Sequence, residues 1–383
     1  MTWTFPLARL ALLPPLRAAA LAFCVVLAGC ESRAPIVIGL AGPFSEPRGE
    51  SMKLAAQLAV NEINAAGGIL GRRLALEALD DSAQTARAMA VATLLYDDRR
   101  VVAVIGHLTS GAAIAAADVY NAGRNPVVAL SPSASNPDLT GVGRYTFRLC
   151  ATDLAHGTTL ARFATTRLGA RRAAIIYLND DYGRGILGTF ADEFRRLDGT
   201  IVAMDPVLPG AEDITPYLDF IQHDSRAQVL MVAGDREMAS LVLRLARARG
   251  LTLPIIGGDG LAGIEAEGAL ANGVYLTANY LPDLPGARNA AFLRAYGAAN
   301  GGQRPDHRGA GTYDAVYLLA DAIRVAGARR SAIRDALAQV GHARAAFNGV
   351  TGRITFDGRG DVPDKTVLVG VVRDGHIVPA GNP

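Results

Sequence analysis

The stretch Val101-Val102-Ala103-Val104-Ile105-Gly106-His107-Leu108-Thr109-Ser110-Gly111, continued by the alanine-rich Ala112–Ala122, decides how this 383-residue chain is read. Five apolar residues without a polar break read as a strand buried on both faces, and the segment from Ser110 to Ala122 reads as a helix. A strand that feeds a helix through a short polar turn is half of a βαβ unit. Such units build parallel sheets covered by helices on both faces.

The same order extends outward in both directions. Ile36–Leu40 reads as a strand and Gly49–Ala66 as a helix, with Met52, Ala55, Leu58, Ala59 and Ile63 at helical spacing. Strand Leu74–Leu79, helix Ala83–Asp97 and strand Pro126–Leu130 complete a first series. A second opens after Thr146–Cys150, with helix Ala155–Leu168, strand Ala173–Leu178, helix Gly183–Leu197 and strand Thr200–Pro206. Helix Thr215–His223, strand Val229–Ala233, helix Arg236–Arg249 and strand Ile255–Gly257 continue it. The tail carries strand Gly273–Ala278, helices Arg288–Asn300, Gly309–Ala326 and Ser331–Val340, and a β-rich end at Arg353–Phe356 and Thr366–Arg373. Two series of similar length predict an α/β protein of two doubly wound parallel-sheet lobes. No low-complexity linker separates them, so hinged lobes fit better than independent domains on a string. Ligands of open parallel sheets bind beyond the carboxyl ends of the strands, and two facing lobes gather several such loops around one cleft.

The start of the chain reads as an address. Arg9 and Arg17 supply positive charge, Ala18–Ala28 an uncharged apolar run, and Leu27-Ala28-Gly29-Cys30 the small residues and cysteine of a lipoprotein signal. The run is too short to span a bilayer core of roughly 30 Å as a helix. The expectation is a cleaved signal over residues 1–29, acylation of Cys30, and residues 30–35 as a tether holding the protein on the extracytoplasmic or periplasmic side of a membrane. An ordinary signal peptide with an incidental cysteine is the plainer alternative. Without residues 1–29 the 38 basic residues fall to 36, equal to the 36 acidic ones. A neutral chain with interspersed charges has no electrostatic footprint for nucleic acid. Cys24 leaves with the signal, so Cys150 is the one thiol of the folded part, expected to be buried and inert.

Two polar segments could bind something. Gly106–Gly111 places Ser110 as the N-cap of a helix whose free N–H groups and positive dipole end suit a carboxylate or phosphate, or Ser110 simply caps its own helix. Leu130-Ser131-Pro132-Ser133-Ala134-Ser135-Asn136-Pro137 ends a strand and offers hydroxyls and carbonyls to a polar ligand head, or is a solvated turn. His107 is expected to fix its loop, since no second histidine or cysteine stands at ligand spacing. Asp80 with Asp81, and Asp180 with Asp181, read as helix caps or solvated carboxylates. No Gly-x-Ser-x-Gly elbow, Walker loop, dinucleotide fingerprint or metal-binding cluster is found, so neither an enzyme nor a cofactor or metal is expected.

Ile105–Ser110 and Leu130–Thr140 together resemble the two ligand-head motifs of type I periplasmic binding proteins, most closely the leucine/isoleucine/valine-binding family of ABC importers. Further matching segments are Ala59–Ile69, Asp180–Gly185, Gly257–Gly260 and Thr312–Ala315, collinear over Pro35–Gly375. The resemblance implies two lobes joined by a multi-strand hinge, lobe I from 36–149 plus 277–351 and lobe II from 150–276 plus 352–383. It implies that Ser110 receives a ligand α-carboxylate, that Ser133 offers its carbonyl and Ser135 its hydroxyl to the head group, that Tyr182 closes over the ligand and that Asp259 pairs with the ammonium. Arg48 and Asp235 depart from the family, which has aromatic residues near both positions, and they predict a ligand with a polar side chain or a short amide or carboxylate compound. The pocket stays aliphatic if both charges point to solvent. The implied function is capture of an amino acid or related small compound by hinge closure and delivery to an ABC permease, the binder itself being a monomer. A ligand-sensing receptor of the same fold is the alternative.

Overall fold

The computed structural model describes residues 1–3 and 34–381. The expected signal, apart from Met1–Trp3, and the expected acylation site Cys30 lie outside the described residues. Among the described residues no helix is long and apolar enough to cross a membrane.

The first lobe is built on five parallel strands, β1 Ile36–Gly42, β2 Leu74–Asp80, β3 Val101–Ile105, β4 Val128–Ser131 and β5 Thr146–Arg148, in the order β2-β1-β3-β4-β5. Helices α1 Pro47–Ala65, α2 Thr85–Asp97 and α3 Ser110–Asn121 connect them. β1 is buried along its whole length, the signature of a strand covered on both faces.

After β5 the chain crosses into the second lobe. There α4 Asp153–Thr166, β6 Arg172–Leu178, α5 Asp181–Arg196, β7 Thr200–Val207, α6 Thr215–His223, β8 Val229–Ala233, α7 Arg236–Ala248, β9 Ile255–Gly257 and β10 Tyr275–Ala278 alternate. It then returns to the first lobe for α8 Ala287–Ala299, α9 His307–Ala326, α10 Arg330–Ala338 and the hairpin of β11 Phe347–Gly349 and β12 Gly352–Ile354. A third crossing delivers β13 Leu368–Arg373 and β14 His376–Pro379 to the second sheet, whose order is β14-β13-β10-β9-β8-β6-β7. Its strands β6 to β10 run parallel, and β13 and β14 are antiparallel additions.

Two expected lobe limits move. A cut at 276/277 would fall inside β10, whose Thr277 and Ala278 still pair with Val369 and Leu368. A cut at 351/352 would split the β11/β12 hairpin, and Ile354, Phe356 and Val362 beyond it pack into the first lobe's core. The β-rich tail hid this, because its strands serve both lobes. α9 is buried on nearly all sides, its polar His307, Arg308, Thr312 and Asp314 included, and it seats Tyr313 against Glu62 of α1 with a 2.6 Å hydrogen bond.

The crossings are tied to one another. Asn279 Oδ1 accepts from the Ala151 main-chain N–H at 2.9 Å, and the buried Arg148 guanidinium donates to Asp361 at 2.6 Å. Cys150 lies buried between these ties, its thiol pushed up to about 12 by burial, which keeps it protonated and unreactive.

Candidate functional site

A cavity with about 90 Å³ of free space lies between the lobes. Its walls come from the carboxyl ends of parallel strands in both sheets: the start of α3 after β3, the loop after β4, the start of α5 after β6, the loop after β9 and the start of α7 after β8. Ser110, Ser133, Tyr182, Asp259, Arg48 and Asp235 all line it. Ser135 does not. It is wholly buried behind the wall, where its carbonyl accepts from the Asp153 N–H at 2.8 Å.

Ser110 is the first residue of α3 and not its N-cap, a place taken by Thr109, which makes no side-chain cap. The Ser110 hydroxyl instead accepts from the Asn136 N–H at 3.2 Å. The leading N–H groups of α3 therefore stand at the cavity without a capping side chain, together with the positive end of a twelve-residue helix.

Opposite them lies Asp259, almost completely buried. Its Oδ1 accepts from the Tyr182 hydroxyl at 3.0 Å, and the same hydroxyl accepts from the Gly260 N–H at 2.9 Å. Tyr182 thus holds the carboxylate and its loop in place while lining the cavity. Asp259 Oδ2 has no hydrogen-bond partner, and His307 Nε2 and His156 Nε2 are 3.7 and 3.9 Å away. Burial pushes the Asp259 carboxyl up, but His156, His307, Arg308 and the Tyr182 hydrogen bond more than offset it, so the group ionises below its ordinary range. Burial and Arg308 push His307 down to about 4, and burial lowers His156 as well, so both imidazoles are neutral at physiological pH.

Arg48 and Asp235 meet each other. Arg48 donates to Glu46 at 2.5 Å within its own lobe and approaches Asp235 Oδ2 at 3.4 Å across the cleft, while Asp235 Oδ1 caps α7 at Met238 N. Neither is an unpaired pocket charge and neither points freely to solvent. Together with Arg308 they also line a second, smaller cavity, so these three side chains stand between the two cavities. Asp180 caps α5 through Gly183 N and lines the cavity too.

Sequence reasoning missed His307 and Arg308, because it began α9 at Gly309. Asp306 is the N-cap, accepting from the Gly309 N–H at 2.9 Å, and reading that aspartate as a cap would have placed both residues in the first helical turn. Asp81 was also misread: far from solvent, it is fully buried against His107 Nδ1 at 2.5 Å, and His107 Nε2 meets the Tyr120 hydroxyl at 3.1 Å. His107 does fix its loop, by joining the end of β2 to α3.

Two doubly wound lobes, three crossings and a cleft lined from both sides define a type I periplasmic binding protein. Residues 33–376 match the family model described as periplasmic binding protein. An amino acid binding protein of Pseudomonas aeruginosa is 30% identical over 305 residues, covering 77% of this chain and 80% of that protein. The leucine-specific-binding protein of Salmonella typhimurium is 30% identical over 342 residues, covering 87% and 88%. Among solved structures, the branched-chain amino acid transporter substrate binding protein LivJ of Streptococcus pneumoniae, in complex with isoleucine, superposes with a TM-score of 0.81 at 30% identity, covering 91% of this chain and all of that one. The chain belongs to the leucine/isoleucine/valine-binding family of type I periplasmic binding proteins. This is a family of extracytoplasmic solute-binding proteins for ABC transport and not a family of enzymes.

Proposed function

We propose that this protein captures a free amino acid, or a compound with the same head, by closing its two lobes, and delivers it to an ABC permease from a lipid anchor at Cys30. The observation that carries the reading is the buried Asp259 Oδ2, left without a partner across the cavity from the uncapped start of α3. A buried carboxylate oxygen in that state is costly unless a donor completes it, and helix N–H groups want an anion. A zwitterionic head supplies both: its ammonium goes to Asp259 and the Ser133 carbonyl, its carboxylate to Ser110 and the N–H groups of α3. Ser135, behind the wall, supports the loop and makes no contact with the ligand.

The cavity is also lined by Arg48, Asp180, Asp235 and Arg308. Guanidinium N–H groups and carboxylates there favour a side chain that can hydrogen-bond, such as an amide or hydroxyl, over a purely aliphatic one. Calorimetry against the proteinogenic amino acids tests both halves. Tight binding of a polar amino acid that is lost with its α-amine blocked is the expected result. Leucine bound tightly with polar amino acids ignored would overturn the side-chain half, and no amino acid bound at all would overturn the head-group half.

A further inference from the structure

Where the lobes touch beside the cavity, one residue outside its lining makes bonds to both. Asn136 belongs to the first lobe, is buried, and its Oδ1 caps the following turn by accepting from the Asp138 N–H at 2.7 Å. Its main-chain N–H donates to the Ser110 hydroxyl, and its Nδ2 donates at 2.5 Å to the main-chain carbonyl of Asp181, the first residue of α5 in the second lobe. Tyr182, which holds Asp259, is the next residue along. The surfaces here meet at glycines. A Cβ on Gly185 would lie 2.9 Å from Asn136 Nδ2 and 2.7 Å from Asp153 Oδ2, and one on Gly111 would lie 2.8 Å from Asp181 Oδ2.

We propose that Asn136 is the positioning residue that couples the ligand head to lobe closure: it orients the Ser110 hydroxyl and at the same time fastens α5 through the Asp181 carbonyl, with Gly185 as the clearance that lets α5 approach. The clasp exists only in the closed form, because it joins two lobes that separate on opening, and it favours that form with or without a ligand. It therefore acts on ligand release more than on ligand arrival. The role of Ser110 in it rests on the head-group reading above, whereas the fastening to Asp181 does not.

Asn136→Asp isolates the fastening, since it keeps the volume, the main-chain donor and the cap on Asp138 but puts an acceptor against the Asp181 carbonyl. With the tightest-binding proteinogenic amino acid as probe, stopped-flow measurement is expected to show dissociation accelerated about tenfold and association changed less than about twofold. Gly185→Ala is expected to do the same and to enlarge the ligand-bound radius of gyration, because Asn136 is held by its own hydrogen bonds and the fully buried Asp153 has no solvent to move into. Unchanged dissociation in Asn136→Asp, or a loss of thermal stability without a change in release, overturns the clasp. Should no amino acid bind, ligand-free scattering makes the same comparison: a larger radius in Asn136→Asp and Gly185→Ala supports the clasp, and equal radii overturn it. Ser110→Ala separates the two readings, because unchanged affinity there refutes the head-group assignment while the Asn136→Asp release rate still judges the fastening.

Discussion

His107 and His307 are each buried beside an aspartate, in the first lobe's core and in the cleft respectively, and the two pairs differ in how completely they are bonded. His107 sits 2.5 Å from Asp81 with Tyr120 on its other nitrogen, and Asp81 also holds the Ala83 N–H, so every group is used. His307 stays 3.7 Å from Asp259 and 3.5 Å from the Ser133 hydroxyl, and Asp259 Oδ2 is left over. Burial and residue type are the same in both places. Between these two pairs, completion separates the one that holds the fold from the one that faces the cavity.

That contrast predicts opposite outcomes for the two aspartates. Asp81→Ala strands a buried imidazole and should cost about 3–5 kcal/mol of stability in chemical denaturation, with amino acid affinity altered only through the loss of folded protein. Asp259→Ala should weaken binding of the preferred amino acid by about 2–5 kcal/mol in calorimetry while shifting the denaturation midpoint far less than Asp81→Ala does, because the loss of the Tyr182 hydrogen bond is offset by removal of the unsatisfied Oδ2. If Asp259→Ala unfolds the protein and Asp81→Ala abolishes binding in a stable chain, completion is the wrong criterion.

The comparison also explains what could be read from the sequence. Strand-helix alternation is a local property, and so β3 and α3 stand where the apolar run and the alanine-rich segment put them. The limits of the lobes were not legible at the tail, since β12 and β13 both read as short strands, and it is the pairing of β13 with β10, far earlier in the chain, that sends it to the other lobe while β12 pairs locally with β11. Site residues at strand ends followed from topology together with family resemblance. His307 escaped because its helix start was set two residues late, and Asp81 because its partner lies 26 positions away.

Acid should act on the cleft pair in a direction that can be worked out. The folded protein holds His307 at about 4 against an ordinary 6.5, so the unfolded chain binds the proton first as pH falls. The stability associated with neutral His307 is complete above about 6.5 and is lost progressively down to about 4. The difference of some 2.5 units corresponds to at most about 3 kcal/mol. His156, lowered by burial, has the same sign, whereas Asp153, raised well above its ordinary range by burial and by Asp259, has the opposite one. The readout is therefore the difference between the parent and His307→Gln in thermal denaturation from neutral pH to about pH 4. The variant should show the shallower loss, and identical curves would mean that His307 is not held neutral.

The smallest effect is expected where the two lobes meet at Arg48 and Asp235, and it bears on what that pair is for. Their side chains are 22% and 20% exposed, 3.4 Å apart, and each already has another partner in its own lobe. A partly solvated pair of that kind contributes on the order of 1 kcal/mol or less, and salt reduces it further. As a latch between lobes it should therefore appear in a double-mutant cycle of Arg48→Ala and Asp235→Ala as a small coupling energy in ligand affinity, equal for every amino acid that binds and fading with added salt. A coupling that depends on which amino acid is bound would mean that the ligand's side chain enters the pair. In that case the pair acts on the ligand as a unit, beyond the hydrogen-bonding groups that each residue offers separately.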